Sequence, residues 1–408
     1  CETVLDFFRA MKAHITKKKP ATSVGMNIKG IHSHNQCFNN GIDHGRWLET
    51  GFNCCDAGLY AAIGPHRNCI CEFRSFKITH TTGLSQSSQS DELDNLFCMV
   101  LTKQLDVPGF GRRPSMRGTR TFGPLGRFLR QHEDNLFGTR PIFTDVAVLR
   151  SFPSMAYNCL NWCHGPLISE QGLWEARIPF GIVFDQNMHD LSRYRVLLLA
   201  NQDALSDENV ARIRRFVESG GGLVATEHSG ALDDWRRPRV KNALSEAFGL
   251  AMRKKAERAA FGKGRVAWLP KLTPSVPYED DFLRHPHGAH ADVAAPKNGK
   301  ELEAALRWAA GGHFSFEVRA PHGIVCEFRE GPTPRDRAVH LMNFHSKPVK
   351  SAFRVRMATE RPEAWSLEVL SPDGAPKKPP VLKKVKGAVE FAVPGMRGLY
   401  TVCILRAR

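Results

Sequence analysis

Asp145-Val146-Ala147-Val148-Leu149 opens the stretch that decides the fold, which runs on to Ser229. Its first apolar strand, Val146 to Leu149, is followed by a second, Phe180 to Phe184. A third is Arg195-Val196-Leu197-Leu198-Leu199. A helix phrase then runs from Leu205-Ser206-Asp207-Glu208 to Phe216-Val217-Glu218, and Gly220-Gly221-Gly222 stops it. Leu223-Val224-Ala225-Thr226 is the fourth strand. Short, unbroken apolar runs alternating with helices predict a parallel sheet covered on both faces.

This stretch carries no obvious catalytic set. An amidotransferase needs a reactive Cys on a tight strand-to-helix turn, with a His partner to activate it. The turns after Leu199 and Thr226 contain no Cys. Phosphate binding at a helix start needs a loop rich in hydroxyls and glycine. Arg150-Ser151-Phe152-Pro153 does not supply one. Glu227 and His228 stand at a strand end as an acid/base pair would, but such residues more often contact a neighbouring subunit or domain. Gly262-Lys263-Gly264 lacks the spacing of a phosphate loop and reads as a turn before a fifth strand, Gly264 to Leu269.

The blocks on either side read differently. Before the sheet, Val4 to Ile15 is an amphipathic helix with Val4, Leu5, Phe8, Met11 and Ile15 on one face. Ser23 to Asn27 and part of Leu48 to Cys55 read as strands, and Cys71 to Thr79 as a helix. Leu84 to Ser90 reads as a polar loop. Helices are expected from Asp91 towards Gln104 and from Leu125 to Asn135, with an irregular loop over Gly109 to Gly126. After the sheet, residues 273–300 read as a polar connection and Glu301 to Ala310 as a short helix ended by Gly311-Gly312. Alternating strands follow at Val339 to Phe344, Phe353 to Met357, Val389 to Val393 and Tyr400 to Leu405, with a turn at Ser371-Pro372-Asp373-Gly374. About seven short strands in this last block predict an antiparallel β-sandwich.

Bulk properties narrow the classes. The hydrophobic fraction, 42%, is ordinary for a globular protein. No run approaches the roughly 18–20 apolar residues of a membrane helix. The net charge is 57 − 41 = +16, but the basic residues are spread along the chain and no nucleic-acid-binding phrase accompanies them, so a nucleic-acid partner is not expected. Of 11 Cys, nine precede residue 164, without the short, regular spacing of a disulfide scaffold. They read as free thiols, which favours a reducing cytoplasm. Cys69-x-Cys71 and Cys159-x₃-Cys163-His164 give no paired zinc spacing. No metal and no cofactor are expected.

Several phrases resemble family 42 β-galactosidases. Tyr194 to Asp203, Leu205 to Glu208 and Arg215 to Thr226 are similar to the trimerisation domain of that family. That domain looks like a class I glutamine amidotransferase fold without amidotransferase chemistry. His340-Leu341-Met342-Asn343-Phe344 and Ser371-Pro372-Asp373 resemble the family's C-terminal sandwich. Val24 to Gly30, Asn40 to His44 and Phe73 to Lys77 resemble the later half of its barrel.

The resemblance implies four parts. Residues 1–143 are the C-terminal portion of a glycosidase barrel, and 144–272 a flavodoxin-like trimerisation domain. Residues 273–312 connect, and 313–408 form the β-sandwich. A complete eight-stranded barrel takes about 250 residues, so the first block holds roughly half of one. The resemblance further implies retaining hydrolysis of a β-glycoside by two carboxyl groups about 5–5.5 Å apart, a carbohydrate substrate, and a homotrimer. The general acid/base of the family would lie before Cys1, so the two-carboxylate machinery is expected to be incomplete in this chain. The nucleophile position matches Asp56, in Thr50-Gly51-Phe52-Asn53-Cys54-Cys55-Asp56, where relatives carry Glu. Asn27 and Lys29, at the end of another predicted strand, would bind sugar hydroxyls. A non-catalytic oligomerisation or carbohydrate-binding protein is the rival reading. Of the remaining polar residues, His32, His34, Asp43 and His44 read as loop positions, and Arg74 and Lys77 as facing neighbouring helices or solvent.

Overall fold

The computed structural model describes residues 2–21, scattered positions between 43 and 132, and residues 144–156, 164–252, 255–275 and 294–408, save 332, 334, 346, 375, 377 and 379. Its centre is a six-stranded sheet. Strands β3 (Val146–Arg150), β4 (Phe180–Phe184), β5 (Val196–Leu199), β6 (Gly222–Thr226) and β8 (Gly264–Leu269) are parallel. The edge strand β7 (Glu257–Phe261) pairs antiparallel to β8. The order is β4-β3-β5-β6-β8-β7. For the five parallel strands, numbered in chain order, this is 2-1-3-4-5.

The predicted double covering has a simple origin in side-chain alternation. Val146, Val148, Val196, Leu198 and Val224 point to one core, shared with helices α3 (His164–Glu175) and α6 (Gly299–Ala309). Ala147, Leu149, Leu197, Leu199 and Leu223 point to the other, under α4 (Asp207–Glu218) and α5 (Ala243–Phe248). Strands with both faces inside must be apolar at every position. Helix α4 starts where the sequence says: the Ser206 hydroxyl accepts from the Asn209 N–H at 3.1 Å. Helix α6, at the end of the predicted connecting segment, packs on β5, β6 and β8. Strand β7 was not anticipated. It is a short edge with alternating exposure, and its charged Glu257 and Arg258 obscure the pattern.

The C-terminal block is a pair of four-stranded antiparallel sheets. The inner one has the order β10-β11-β16-β13, with β10 (Ile324–Glu330), β11 (Arg337–Asn343), β16 (Tyr400–Ala407) and β13 (Trp365–Leu370). The outer one has the order β14-β15-β12-β9, with β14 (Lys383–Val385), β15 (Ala388–Val393), β12 (Phe353–Ala358) and β9 (Phe316–Arg319). They enclose Phe328, Val339, Leu341, Val355, Phe391 and Cys403. The expected turn forms: the Gly374 N–H donates to the Ser371 carbonyl at 3.1 Å, and Gly374 takes φ +90.

From the first block, α1 (Glu2–Lys18) presents Leu5, Phe8 and Met11 to the first of the two central cores, as its sequence pattern predicts. Arg127, Phe128 and Gln131 are helical, within the predicted Leu125–Asn135 helix. A two-residue strand β1 (Cys54–Cys55) pairs parallel with β2 (Ser85–Gln86). The second of these corrects the expected polar loop at Leu84 to Ser90: backbone pairing with β1, not an apolar pattern, makes the strand. The expected strand at Ser23 to Asn27, the helix from Asp91 to Gln104 and the loop from Gly109 to Gly126 lie outside the described residues. No helix among the described residues is long and apolar enough to cross a membrane.

Candidate functional site

The parallel strands of the central sheet deliver their carboxyl ends to one edge, where ligands of open α/β sheets bind. There a cleft of about 690 Å³ is lined by Asn201, Asp203, Glu227, His228, Arg236 and the segment that follows β8. Two of these residues hold the left-handed backbone that non-glycine residues rarely adopt: Asn201 at φ 53 and Glu227 at φ 54. Each terminates a strand. The Asn201 N–H donates to the Thr226 hydroxyl at 3.0 Å, and the Glu227 N–H to the Leu269 carbonyl at 3.1 Å. These bonds let a buried scaffold hold the turn conformation.

The electrostatics limit what the cleft can do. Burial pushes the Glu227 carboxyl above the ordinary carboxylate range, against the opposing pull of the Leu272 N–H, Lys271 and His228. A carboxyl raised in this way can donate a proton. Asp203, however, is gripped by both terminal nitrogens of Arg236 at 3.0 Å each. A carboxylate so held is not poised as an attacking group. No Cys occurs among the lining residues. Among the described residues that line it, the cleft therefore holds neither a free carboxylate pair nor a thiol–imidazole pair.

Asp56, Asn27 and Lys29 lie outside the described residues, as do His32, His34 and His44. Strand β1 ends at Cys55, one residue before Asp56 in the sequence. Asp43 lies outside helix and strand, as a loop position does, but it is buried and accepts a hydrogen bond from the Gln186 amide at 3.3 Å. No group of three potential metal ligands occurs among the described residues.

Sequence reasoning missed the polar joint between the blocks. Lys77 is helical, as expected, but faces neither helices nor solvent. Its ammonium donates to the Phe180 carbonyl and to Glu327 of β10, each at 2.9 Å, and lies 4.1 Å from the Phe180 ring centroid. The Asp145 carboxylate receives the Ser315 N–H and hydroxyl, both at 2.7 Å. The Arg177 guanidinium donates to the carbonyls of Val318 and Ile324 at 3.1 Å. These contacts tie the first block, the central sheet and the sandwich together.

Comparisons with known proteins agree with this architecture. Residues 171–268 match the family model of the β-galactosidase trimerisation domain. Among solved structures, a β-galactosidase from Bacillus circulans sp. alkalophilus matches with a TM-score of 0.60 at 14% identity, over 100% of this chain and 66% of that one. A GH42 β-galactosidase from G. stearothermophilus matches with a TM-score of 0.53 at 14% identity, over 100% and 67%. An α-L-fucosidase isoenzyme 2 from Paenibacillus thiaminolyticus matches at 0.53 and 15% identity, over 99% and 71%. The chain thus spans about two thirds of the length of these proteins. No protein with a curated description matches it significantly in sequence. The central sheet thus carries a match to the β-galactosidase trimerisation domain, and the fold of the chain is similar to that of GH42 β-galactosidases.

Proposed function

We propose that the chain serves glycoside hydrolysis of the retaining kind, on a β-galactoside or a related sugar. In this reading residues 1–143 are the later part of a barrel. Residues 144–272 form a flavodoxin-like, catalytically silent assembly domain, residues 273–312 a connection, and residues 313–408 a sandwich. The order 2-1-3-4-5 of the parallel strands supports the flavodoxin-like assignment. The observation that carries the whole is the trimerisation-domain match at residues 171–268 within a family 42 fold. It also supports a homotrimer.

Asp56 is assigned as the nucleophile. Catalytic residues of α/β barrels sit at the carboxyl ends of strands. The parallel pairing of β1 with β2, and the end of β1 at Cys55, support that position for Asp56. The carboxylate would attack the anomeric carbon, expel the leaving oxygen and form a glycosyl ester, which water then cleaves. Asn27 and Lys29 would hold sugar hydroxyls. An Asp carboxylate reaches one methylene less far than Glu, so the sugar ring must sit closer to its strand. The likeness to both β-galactosidases and an α-L-fucosidase leaves the choice of sugar to the loops.

The test is turnover by the purified chain of 2,4-dinitrophenyl β-galactoside, an aryl β-galactoside whose leaving group departs without the general acid that this reading does not assign. Asp56→Ala should lower it by orders of magnitude, because a nucleophile that acts as part of a unit has no partial substitute. Turnover unchanged by that substitution removes Asp56 from the mechanism. The rival reading, a non-catalytic oligomerising or carbohydrate-binding protein, is favoured by the family-model match itself, which covers the trimerisation domain alone. It predicts a trimer in light scattering and glycan binding without hydrolysis.

A further inference from the structure

The opposite, amino-terminal edge of the central sheet holds a second cleft, of about 770 Å³. Arg195, Arg212, Arg215, Lys263 and Arg265 line it, and no Asp or Glu does. Acids around it are already engaged, and Asp145, which feels the charge of Arg195, is held by the Ser315 N–H and hydroxyl. Glu208 pairs with Arg212, Glu218 with Arg214 and Asp190 with Arg193. Arg195, Arg215, Lys263 and Arg265 have no carboxylate ion pair among the described residues. The carboxyl end of α4 points here, but its last carbonyls are capped. Those of Arg215, Phe216, Val217 and Glu218 accept from the N–H groups of Ser219, Gly221, Gly220 and Lys263. That capping reduces the negative pole a helix end would otherwise present.

The cleft is rigidly built. A Cβ at Gly222 would lie 2.5 Å from the Ala309 carbonyl oxygen, and one at Gly264 would lie 2.1 Å from the Gly221 carbonyl oxygen. Backbones of β6, β8 and α6 therefore pack without side chains between them and fix the frame of the cleft, with Arg215 and Lys263 exposed on it. Arg265 is set by its bond to the Trp308 carbonyl at 2.9 Å and by its position over the Trp308 ring. Arg195 reaches the ring of His313 at 3.4 Å. Burial and the neighbouring Arg195, Arg356 and Arg307 hold His313 below the usual imidazole range, with Glu317 opposing them. Five cations line this one cleft with no carboxylate among its lining residues, a charge balance that favours an anionic ligand.

We propose that this cleft binds an acidic oligosaccharide through its sulfate-ester or carboxylate groups. The choice of a sugar as the carrier rests on the glycoside hydrolase reading. The choice of an anion rests on the cleft alone. Nucleic acid is the poorer fit, because single strands need free aromatic faces for their bases. Of the Tyr and Phe rings that line the cleft, Tyr194 has Arg193 over it and the tip of the Phe216 ring packs against Gly221. The apolar floor of Met188, Leu191, Ala309 and Ala310 suits the face of a sugar ring.

The experiment is calorimetric titration of the purified chain with four tetrasaccharide or oligonucleotide probes and one ion. These are a sulfated galactan tetrasaccharide, an oligogalacturonate tetrasaccharide, a neutral galactan tetrasaccharide, a single-stranded DNA oligomer and inorganic sulfate. The expected result is that one acidic tetrasaccharide binds at least tenfold tighter than the neutral one, and more weakly as salt rises. Arg215→Glu with Lys263→Glu, both exposed, should weaken it at least tenfold. Lys350→Glu with Lys386→Glu, the same charge change on the sandwich surface, should not. Absence of acidic-sugar binding, equal weakening by the two double variants, tighter binding of the DNA oligomer, or equal affinity for sulfate alone would each overturn the proposal. Aryl β-galactoside turnover is measured on the same preparations. Turnover that depends on Asp56 without cleft binding defeats this inference alone, and cleft binding without turnover defeats the hydrolase reading alone.

Discussion

The two sheets of the C-terminal sandwich share strand direction and size but not surroundings. In the outer sheet, β12 alternates as an antiparallel strand with one wet face does. Phe353, Val355 and Met357 are buried, while Arg354 is exposed. In the inner sheet, β11 reads Arg-Ala-Val-His-Leu-Met-Asn, and six of its seven residues are buried. Its Val339 and Leu341 enter the sandwich core, while Ala338 and Met342 join the core under the central sheet. The far face of this antiparallel sheet is therefore interior, as both faces of the parallel sheet are. Continuous burial marks a layer's position in the stack and not its strand direction.

The difference has a chemical consequence. The covered face still carries Glu327, Arg329 and His340, residue types an exposed face would have. Each had to find a partner once water was removed. Glu327 takes Lys77, and the His340 Nδ1 meets the Tyr400 hydroxyl at 2.6 Å. Burial holds His340 well below the usual imidazole range, so it is neutral there. The contact between blocks is accordingly polar in part, where the central sheet has an apolar core on each side.

The comparison breaks first at the buried ion pair. Lys77→Met leaves the Glu327 charge without its partner inside the joint and should destabilise the chain by about 3–5 kcal/mol in chemical denaturation. A loss under about 1 kcal/mol would mean the face is wet. Next comes the apolar layer: Leu198→Ala, in the middle of β5, should cost about 2–5 kcal/mol through lost burial and a residual cavity. Asp145→Ala, which frees the Ser315 N–H and hydroxyl, should cost about 1–3 kcal/mol and loosen the sandwich before the central sheet in hydrogen exchange.

A pH profile sharpens the same contrast. Burial raises the carboxyls of Asp145, Asp185 and Glu327 above their ordinary values of 3.8 and 4.5. The folded chain then holds protons that the unfolded chain has released. This contribution to stability is present at low pH and is lost as pH rises from the ordinary values through the raised ones. Asp145→Asn should flatten that fall in urea midpoints measured between pH 4 and pH 7. The smallest effect is expected on the outer face. Arg354→Ala breaks a 3.9 Å contact with Glu390 on an exposed surface and should change stability by less than about 1 kcal/mol.

What could be read in the sequence follows from the same physics. The parallel strands were legible because a strand dry on both faces must be an unbroken apolar run. Helix α4 was legible from Ser206 and the glycines after Glu218. The burial of Glu327, Arg329 and His340 was not, because alternation tells which side is polar but not what later covers it. Strand β2 was hidden because Ser85-Gln86 carries no apolar pattern. At the carboxyl edge, Glu227 was visible as a residue, but its left-handed backbone was not, since nothing in a Glu signals φ 54. Asp56, Asn27 and Lys29 were reached through family resemblance and strand-end position, and not through any pattern in their own neighbours.

The central claim is that sugar chemistry belongs to the first block and that the central sheet is silent. It is tested most directly by trapping the nucleophile with 2,4-dinitrophenyl 2-deoxy-2-fluoro-β-galactoside. Its leaving group departs without acid assistance and its glycosyl ester persists. Peptide mapping by mass spectrometry should find the fluorosugar on Asp56. A label on Glu227, or a chain that stays unlabelled at saturating reagent, would contradict the account.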